Sequence, residues 1–295
     1  MSGNKRVFYA CMGVEIGAGR LVGATSVGIS ASRDVSTIFA SQNKNPVATY
    51  AAFPQIEITV SSYLDSFKNL EDEVGLDEFT KISILAGPDE SPVLAANQKN
   101  TFQYCLLSGV KYNLPAEGYF TVERTYKGLR KKPCSTGGSN SIGGQEGEVK
   151  TRQYYQSGKP SVIGDNPINN ISIEAKINRS FVNEFGTRKP YASYINFPIE
   201  VSCTYECAVQ DFDSISFDLN DTACKNLKAD KEDIMIQICG SSFTINEAQL
   251  TNFNYSGGEA NNGSNLTFSV TYTGYTSPPN IVPVIIIPDT FLDPC

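Results

Sequence analysis

The sequence repeats itself, and this repeat limits the folds that the 295-residue chain can adopt. Residues 46–54, PVATYAAFP, match residues 190–198, PYASYINFP, without a gap and 144 residues further on. An ordered match of this kind indicates two copies of one structural unit. The anchors of the match are Tyr50, Phe53 and Pro54 in the first copy and Tyr194, Phe197 and Pro198 in the second.

The match extends to both sides of this segment. Upstream, residues 27–31 align with residues 171–175 without a gap. Downstream, a slippage of one residue pairs residues 56–59 with residues 199–202. A Gly/Ser-rich stretch separates the copies, and such stretches behave as flexible connections. The predicted organisation is a first β domain in residues 1–130, a linker or loop in 131–160, a second β domain in 161–281 and a C-terminal arm in 282–295.

The matched segments alternate apolar and polar residues, which is typical of half-buried β-strands. Helical periodicity is strongest over residues 64–79. These patterns predict a mainly β fold of two tandem antiparallel β-sandwich or split-barrel domains, each with one short helix. The strands after the two Phe-Pro pairs should lie in the sheets, near the edges through which subunits would join; their apolar residues are Ile56, Ile58, Val60, Ile199 and Val201.

The C-terminal arm contains a short segment, residues 284–287, that is strongly β-prone and lies between Pro283 and Pro288. Such a segment promotes aggregation when it is exposed, so we expect it to pair with another strand. Two alternatives are open. The arm either completes a sheet of its own chain or reaches onto an adjacent subunit.

The chain contains no histidine, which removes the commonest general base at neutral pH and the Ser-His-Asp and Cys-His mechanisms. Its eight cysteines include no Cys-x-x-Cys pair that could begin a zinc site. Cys203 and Cys207 lie too far apart along an extended strand to bridge each other. We therefore expect reduced thiols and no enzyme activity, with no catalytic, metal-binding or cofactor-binding residues. The net charge of -7 argues against a surface that grips nucleic acid.

One arrangement of motifs points to a family. An alternating strand, the segment Pro-x-Ala-x-Tyr-x-x-Phe-Pro and a second alternating strand together resemble the tail-tube proteins of tailed bacteriophages. The closing Thr-Tyr-x-Gly strands at residues 125–128 and 271–274 fit the same pattern. The resemblance implies a two-sheet β fold with one flanking helix. It also implies that sheets join edge to edge into a ring around a pore, and that rings stack into a tube.

The function implied by this resemblance is structural. The protein would belong to the virion tail and assemble in the host cytoplasm, with itself and other tail proteins as partners, while DNA passes without stable binding. Because each chain carries two domains, three chains would supply the six domains of one ring. Two alternatives remain open. One is another virion component of the same fold, such as a neck, terminator or baseplate protein, and the other is a surface β-sandwich that binds glycans or receptors.

Overall fold

Strands dominate the structure, and most of them lie in one antiparallel sheet of 12 strands. The mainly β prediction is therefore confirmed. No helix in the described part of the chain is long and apolar enough to span a membrane. The computed structural model describes residues 9–17, 19–39, 46–51, 55–74, 79–88, 93–94, 99–132, 140–141, 147–156, 158–185, 190–210, 231–257, 266–276 and 284–286.

The first half of the chain contains one short helix, α1 (Leu70–Val74), among its strands. In several of these strands, alternating apolar and polar residues give one buried and one open face. The described strands are β1 (Tyr9–Ile16), β2 (Gly19–Arg20), β3 (Ala24–Ser32), β4 (Val35–Phe39), β5 (Pro46–Ala51), β6 (Gln55–Tyr63), β7 (Thr80–Pro88), β8 (Val93–Leu94), β9 (Lys99–Pro115), β10 (Thr121–Lys132) and β11 (Asn140–Ser141).

The second half follows two short 3-10 helices, Arg152–Tyr154 and Ser161–Ile163. Its described strands are β12 (Ile168–Lys176), β13 (Arg179–Asn183), β14 (Pro190–Ile195), β15 (Ile199–Ala208), β16 (Lys231–Ile238), β17 (Ser241–Ser256), β18 (Thr267–Thr276) and β19 (Val284–Ile286).

The two halves use the same scheme of strand pairing. The path β3–β6–β10–β9–β7 in the first half corresponds to β12–β15–β18–β17–β16 in the second. A separate hairpin follows the first strand of each path, β4–β5 in one half and β13–β14 in the other. Strands β3 to β6 each begin 144 residues before their counterparts β12 to β15. The repeat seen in the sequence is thus also a repeat in strand order.

The irregularities of the ladders repeat as well. The β3–β6 ladder has a bulge at Thr25, and the β12–β15 ladder has one at Asn169. The β9–β10 ladder has a bulge at Ser108, and the β17–β18 ladder has one at Thr251. Each of these hydroxyls donates to a carbonyl of the neighbouring strand at 3.1 Å. A bulge bends its strand and increases the local twist. The halves therefore bend at equivalent positions.

A left-handed residue accompanies the bend in both long strands. Tyr104 in β9 has a φ of 58°, and Glu247 in β17 has a φ of 50°. Both lie where the ladder to the preceding strand shifts register. Non-glycine residues adopt this conformation rarely, because Cβ approaches the backbone closely. The same backbone solution therefore occurs in both halves although the side chains differ.

The ladders correct one detail of the sequence alignment. Ile58 lies opposite Tyr126, and Cys203 lies opposite Tyr272. These tyrosines are matched residues of the closing strands, so Ile58 corresponds to Cys203 and not to Val201. The sequence match placed the slippage in the wrong direction because a shift of two residues preserves an alternating apolar pattern.

The apolar residues expected in the sheet lie in its interior. Ile58, Val60, Ile199 and Val201 are at most 2% exposed, and Ile56 is half-buried. However, β6 pairs with β3 and β10, and β15 pairs with β12 and β18. The main-chain groups of β6 and β15 are therefore paired on both sides within the chain, so neither strand is itself an edge, and the expectation that subunits join at edges near them stays a prediction.

The repeat anchors occupy different surroundings. Tyr194 lies in β14, where it is 38% exposed, and Phe197 and Pro198 are exposed in the turn before β15. The backbone of Tyr50 belongs to β5, and its side chain lies outside the described part of the chain. Phe53 and Pro54 also lie outside the described residues.

Strand β19 lies in the predicted C-terminal arm, and α1 lies in the predicted helical segment. Strand β19 pairs with β14 of its own chain, which matches the first alternative for the arm. The helix is shorter than residues 64–79, because Leu64 and Phe67 are buried in a non-helical segment before it. A helix of the second half would fall in residues 211–230, outside the described residues. The described buried apolar side chains of the two halves form one continuous cluster.

Gly274 in β18 is a sensitive point of this packing. A Cβ atom there would overlap Cγ2 of Ile245 and lie 3.4 Å from the carbonyl oxygen of Asn246. We expect G274A to lower the free energy of unfolding by about 1–3 kcal/mol, the usual cost of overpacking, as measured by urea unfolding. The matched control is G158A, where a Cβ would meet nothing within 4 Å. Equal stability of the two variants would contradict the close contact between β18 and β17.

Candidate assembly surface

Strand β9 joins the two halves of the chain. Its first residues pair with β7 and its last residues pair with β12, while β10 runs along its other side. The β9–β12 ladder covers residues 109–115 and 170–176. This ladder, which we call the internal junction, is a strand-to-strand contact between an edge of one half and an edge of the other.

The internal junction is dry on its core side. Tyr112 of β9 lies opposite Ile173 of β12, and the two are 0% and 1% exposed. The ring of Phe243, from the second half, lies 6.3 Å from the Tyr112 ring and 6.2 Å from that of Phe67. Aromatic pairs at such distances add to the stabilisation that burial provides. Side chains of both halves therefore cover the junction.

Hydrogen bonds extend the internal junction beyond the ladder. The backbone N–H of Ile177 donates to the carbonyl of Ser108 at 2.9 Å, and that of Ala116 donates to Asn169 at 2.7 Å. Arg179 of β13 is 8% exposed and donates from Nε to the carbonyl of Leu107 at 2.8 Å. The hairpin β13–β14 is thus attached to the first half at its base.

The end of the predicted linker also connects the halves. The N–H of Lys150 donates to the carbonyl of Leu64 at 2.8 Å, and the N–H of Cys239 donates to that of Tyr154 at 2.9 Å. Tyr155 forms an isolated bridge with Ile238. Residues 150–155 are therefore packed against both halves, although the sequence suggested a flexible connection as far as residue 160.

A buried ion pair attaches α1 to the sheet of the first half. Arg124 donates from Nε and Nη2 to the two carboxylate oxygens of Glu73, at 2.7 and 2.6 Å. The hydroxyl of Tyr112 donates to the same carboxylate at 2.7 Å. Burial raises the pKa of Glu73, but the hydrogen bond and charge of Arg124 outweigh it, so that pKa lies below its usual range. The carboxylate is thus held in its charged form.

Three cysteine thiols are buried in the core. Among the described cysteines, Cys105, Cys203 and Cys207 are buried and unbridged, and Cys239 is exposed. Burial raises the pKa of each buried thiol to about 12. These thiols are therefore protonated at neutral pH and are poor nucleophiles and metal ligands. Within the described residues, no group of His, Cys, Asp or Glu is placed to hold a metal ion.

The opposite face of the large sheet is polar over six consecutive strands, β6, β10, β9, β12, β15 and β18. Hydroxyl side chains are frequent there, and some bond across strands, as Thr204 and Thr271 do at 3.0 Å. Alternation along each strand separates this open face from the core. Its charged residues are Glu57, Glu123, Glu174, Glu200, Glu206, Lys111, Lys127 and Lys176.

Each lysine of the open face lies directly opposite a glutamate. Lys127 pairs with Glu57, and Lys176 pairs with Glu200. Lys111 lies between two glutamates, Glu123 on one neighbouring strand and Glu174 on the other. Among the described side chains of this face, the five glutamates outnumber the three lysines, so this part of the face is weakly acidic.

No protein-family model matches the chain, and neither does any of the curated proteins with which it was compared. Function must therefore be argued from the geometry of the junction and the open face.

Sequence reasoning missed the internal junction and the buried ion pair. It did not find the internal junction, because edge status depends on which strands become neighbours. It also missed the Glu73–Arg124 pair, although Arg124 stands between Val122 and Tyr126 on the inward side of β10. A charged residue in an inward position of an alternating strand was the available signal for a buried partner.

The ion pair should behave as one unit in stability measurements. E73L or R124M alone leaves one charge buried without its partner, which costs about 3–5 kcal/mol. We expect the double variant E73L/R124M to be no less stable than either single variant, as measured by urea unfolding of all four proteins. Additive losses in this cycle would show that the two side chains do not depend on each other.

Proposed function

We propose that this protein is a structural, non-enzymatic subunit of a bacteriophage tail, and that its copies form stacked rings around a pore through which DNA passes. The internal junction carries this proposal. It joins two repeated units by their strand edges while one polar face continues across both, which is the contact that a ring of such units requires.

The proposal includes a duplication. The equivalent ladders, bulges and left-handed residues support two tandem units of the tail-tube type, fused in one chain and packed side by side. Each unit is a split barrel, because its long strand, β9 or β17, bends at the bulge and contributes to two parts of the sheet. Three chains would then provide the six units of one ring.

The open face supports the passage of DNA. A lumen lined with hydroxyls and excess glutamate repels phosphate, and the opposed lysines offer no cluster that would release counterions and hold the backbone. We assign this face to the lumen for that reason. The curved sheet would bring the faces of successive units onto one inner wall, while the apolar core lies outside it.

Assembly is tested directly by electron microscopy. We expect negative-stain images of the concentrated protein to show hollow rings or tubes, because strand edges that no described strand covers favour pairing between chains. Mass photometry of the rings should give the mass of three chains. A protein that stays monomeric at high concentration would contradict the proposal, and rings of six chains would contradict the fused-unit stoichiometry.

The lumen assignment is tested by removing the opposed carboxylates. We expect the unmodified assembly not to retard duplex DNA at low salt. The variant with Gln at Glu57, Glu123, Glu174 and Glu200 leaves three unopposed lysines and should bind DNA with strong salt dependence. The control makes an equal change of charge at exposed acids outside the sheet strands: Asp72, Glu117, Glu148 and Asp165. Equal DNA binding by both variants would contradict the lumen assignment.

A further inference from the structure

The repeat makes the two halves alike, but each half uses only one of the two edges that form the internal junction. In the second half, β12 pairs with β15 on one side and β9 on the other. Its counterpart β3 pairs, among the described strands, only with β6. The first half therefore has an edge like that of β12 which no described strand covers.

The complementary edge lies at the other end of the chain. The end of β9 pairs with β10 and β12. The equivalent end of β17, residues 252–256, pairs with β18, whereas the ladder of β17 with β16 covers only residues 241–249. Among the described strands, none covers the second side of β3 or of residues 252–256, and these two edges lie at opposite ends of the sheet.

We propose that β3 of one chain pairs antiparallel with residues 252–256 of β17 in a second copy, in the arrangement that β12 and β9 adopt within the chain. This inference rests on the proposed function and deepens it, because it names the edges and the register by which copies join. The contact uses two different surfaces and is therefore head to tail. Copies joined in this way form a closed ring when the rotation between neighbours permits.

The internal junction supplies the register. Strand β12 follows β3 by 144 residues, and the bulges at Ser108 and Thr251 align β9 with β17. The internal pair Ile173 and Tyr112 then becomes Ile29 of one chain opposite Tyr255 of the next.

Two further pairs follow from the same register. Glu174 opposite Lys111 becomes Ser30 opposite Asn254, and Ala175 opposite Val110 becomes Ala31 opposite Phe253. The charged pair of the internal junction is thus replaced by a neutral one.

Side-chain exposure agrees with this register. Ile173 and Tyr112, inside the internal junction, are 1% and 0% exposed, whereas Ile29 and Tyr255 are 51% and 44% exposed. A strand edge that presents an exposed isoleucine favours pairing with another chain. Pairing of the two edges would reduce the exposure of both side chains, as it does in the internal junction.

Cysteine pairs test the register. Strand neighbours have Cα atoms about 4.5–5.5 Å apart, within the range that a disulfide spans. In a background with Cys239 replaced by serine, we expect S30C/N254C to form disulfide-linked oligomers under mild oxidation, ending at the number of chains in the ring. The control S26C/N252C places two exposed residues about 20 Å apart in this register, at about 3.3 Å per residue, and should form none. The single variants report any linkage through the native cysteines.

The outcomes separate the register from the proposed function. Selective linkage in S30C/N254C supports the β3–β17 pairing. Rings that form without this linkage, or with equal linkage in the control, would overturn the pairing and leave the ring itself intact. A protein that remains monomeric would overturn both, because β3 and β17 would then stay apart even at high concentration.

Discussion

Main-chain hydrogen bonding at strand edges is the constraint on which this structure depends. Every strand has two edges, and the N–H and C=O groups of an uncovered edge seek a partner. Strand β9 meets this constraint for both halves, since its 17 residues form ladders with β7, β10 and β12. The bulge at Ser108 lies between the β7 and β12 ladders.

The same alternation that forms the ladders separates two kinds of surface. One face of the sheet holds the apolar core and, in the first half, the ion pair of Glu73 and Arg124. The other face holds hydroxyls and opposed charges. The halves differ in the core: the position of Arg124 is taken by Val270 in the second half. The backbone scheme was therefore retained while the means of stabilising it diverged.

The sequence predicted the β content and the repeat, because both are written in local patterns and in spacing. It did not predict the register of β6 and β15, since a pattern with a period of two reads equally well after a shift of two residues. It placed the subunit-joining edges near β6 and β15 and could not show that both of these strands have two neighbours in the sheet. Whether a strand is central or peripheral depends on partners distant in sequence, and a pattern along one strand carries no information about them.

The covalent link between the halves has a consequence for dilution. Because β9 and β12 belong to one chain, their pairing is intramolecular and does not depend on the concentration of the protein. The internal junction therefore forms with the fold, however few molecules are present. A contact between separate chains has no such protection. In the proposed ring, the contacts within a chain would thus be permanent, whereas the contacts between chains would respond to the amount of protein in the cell.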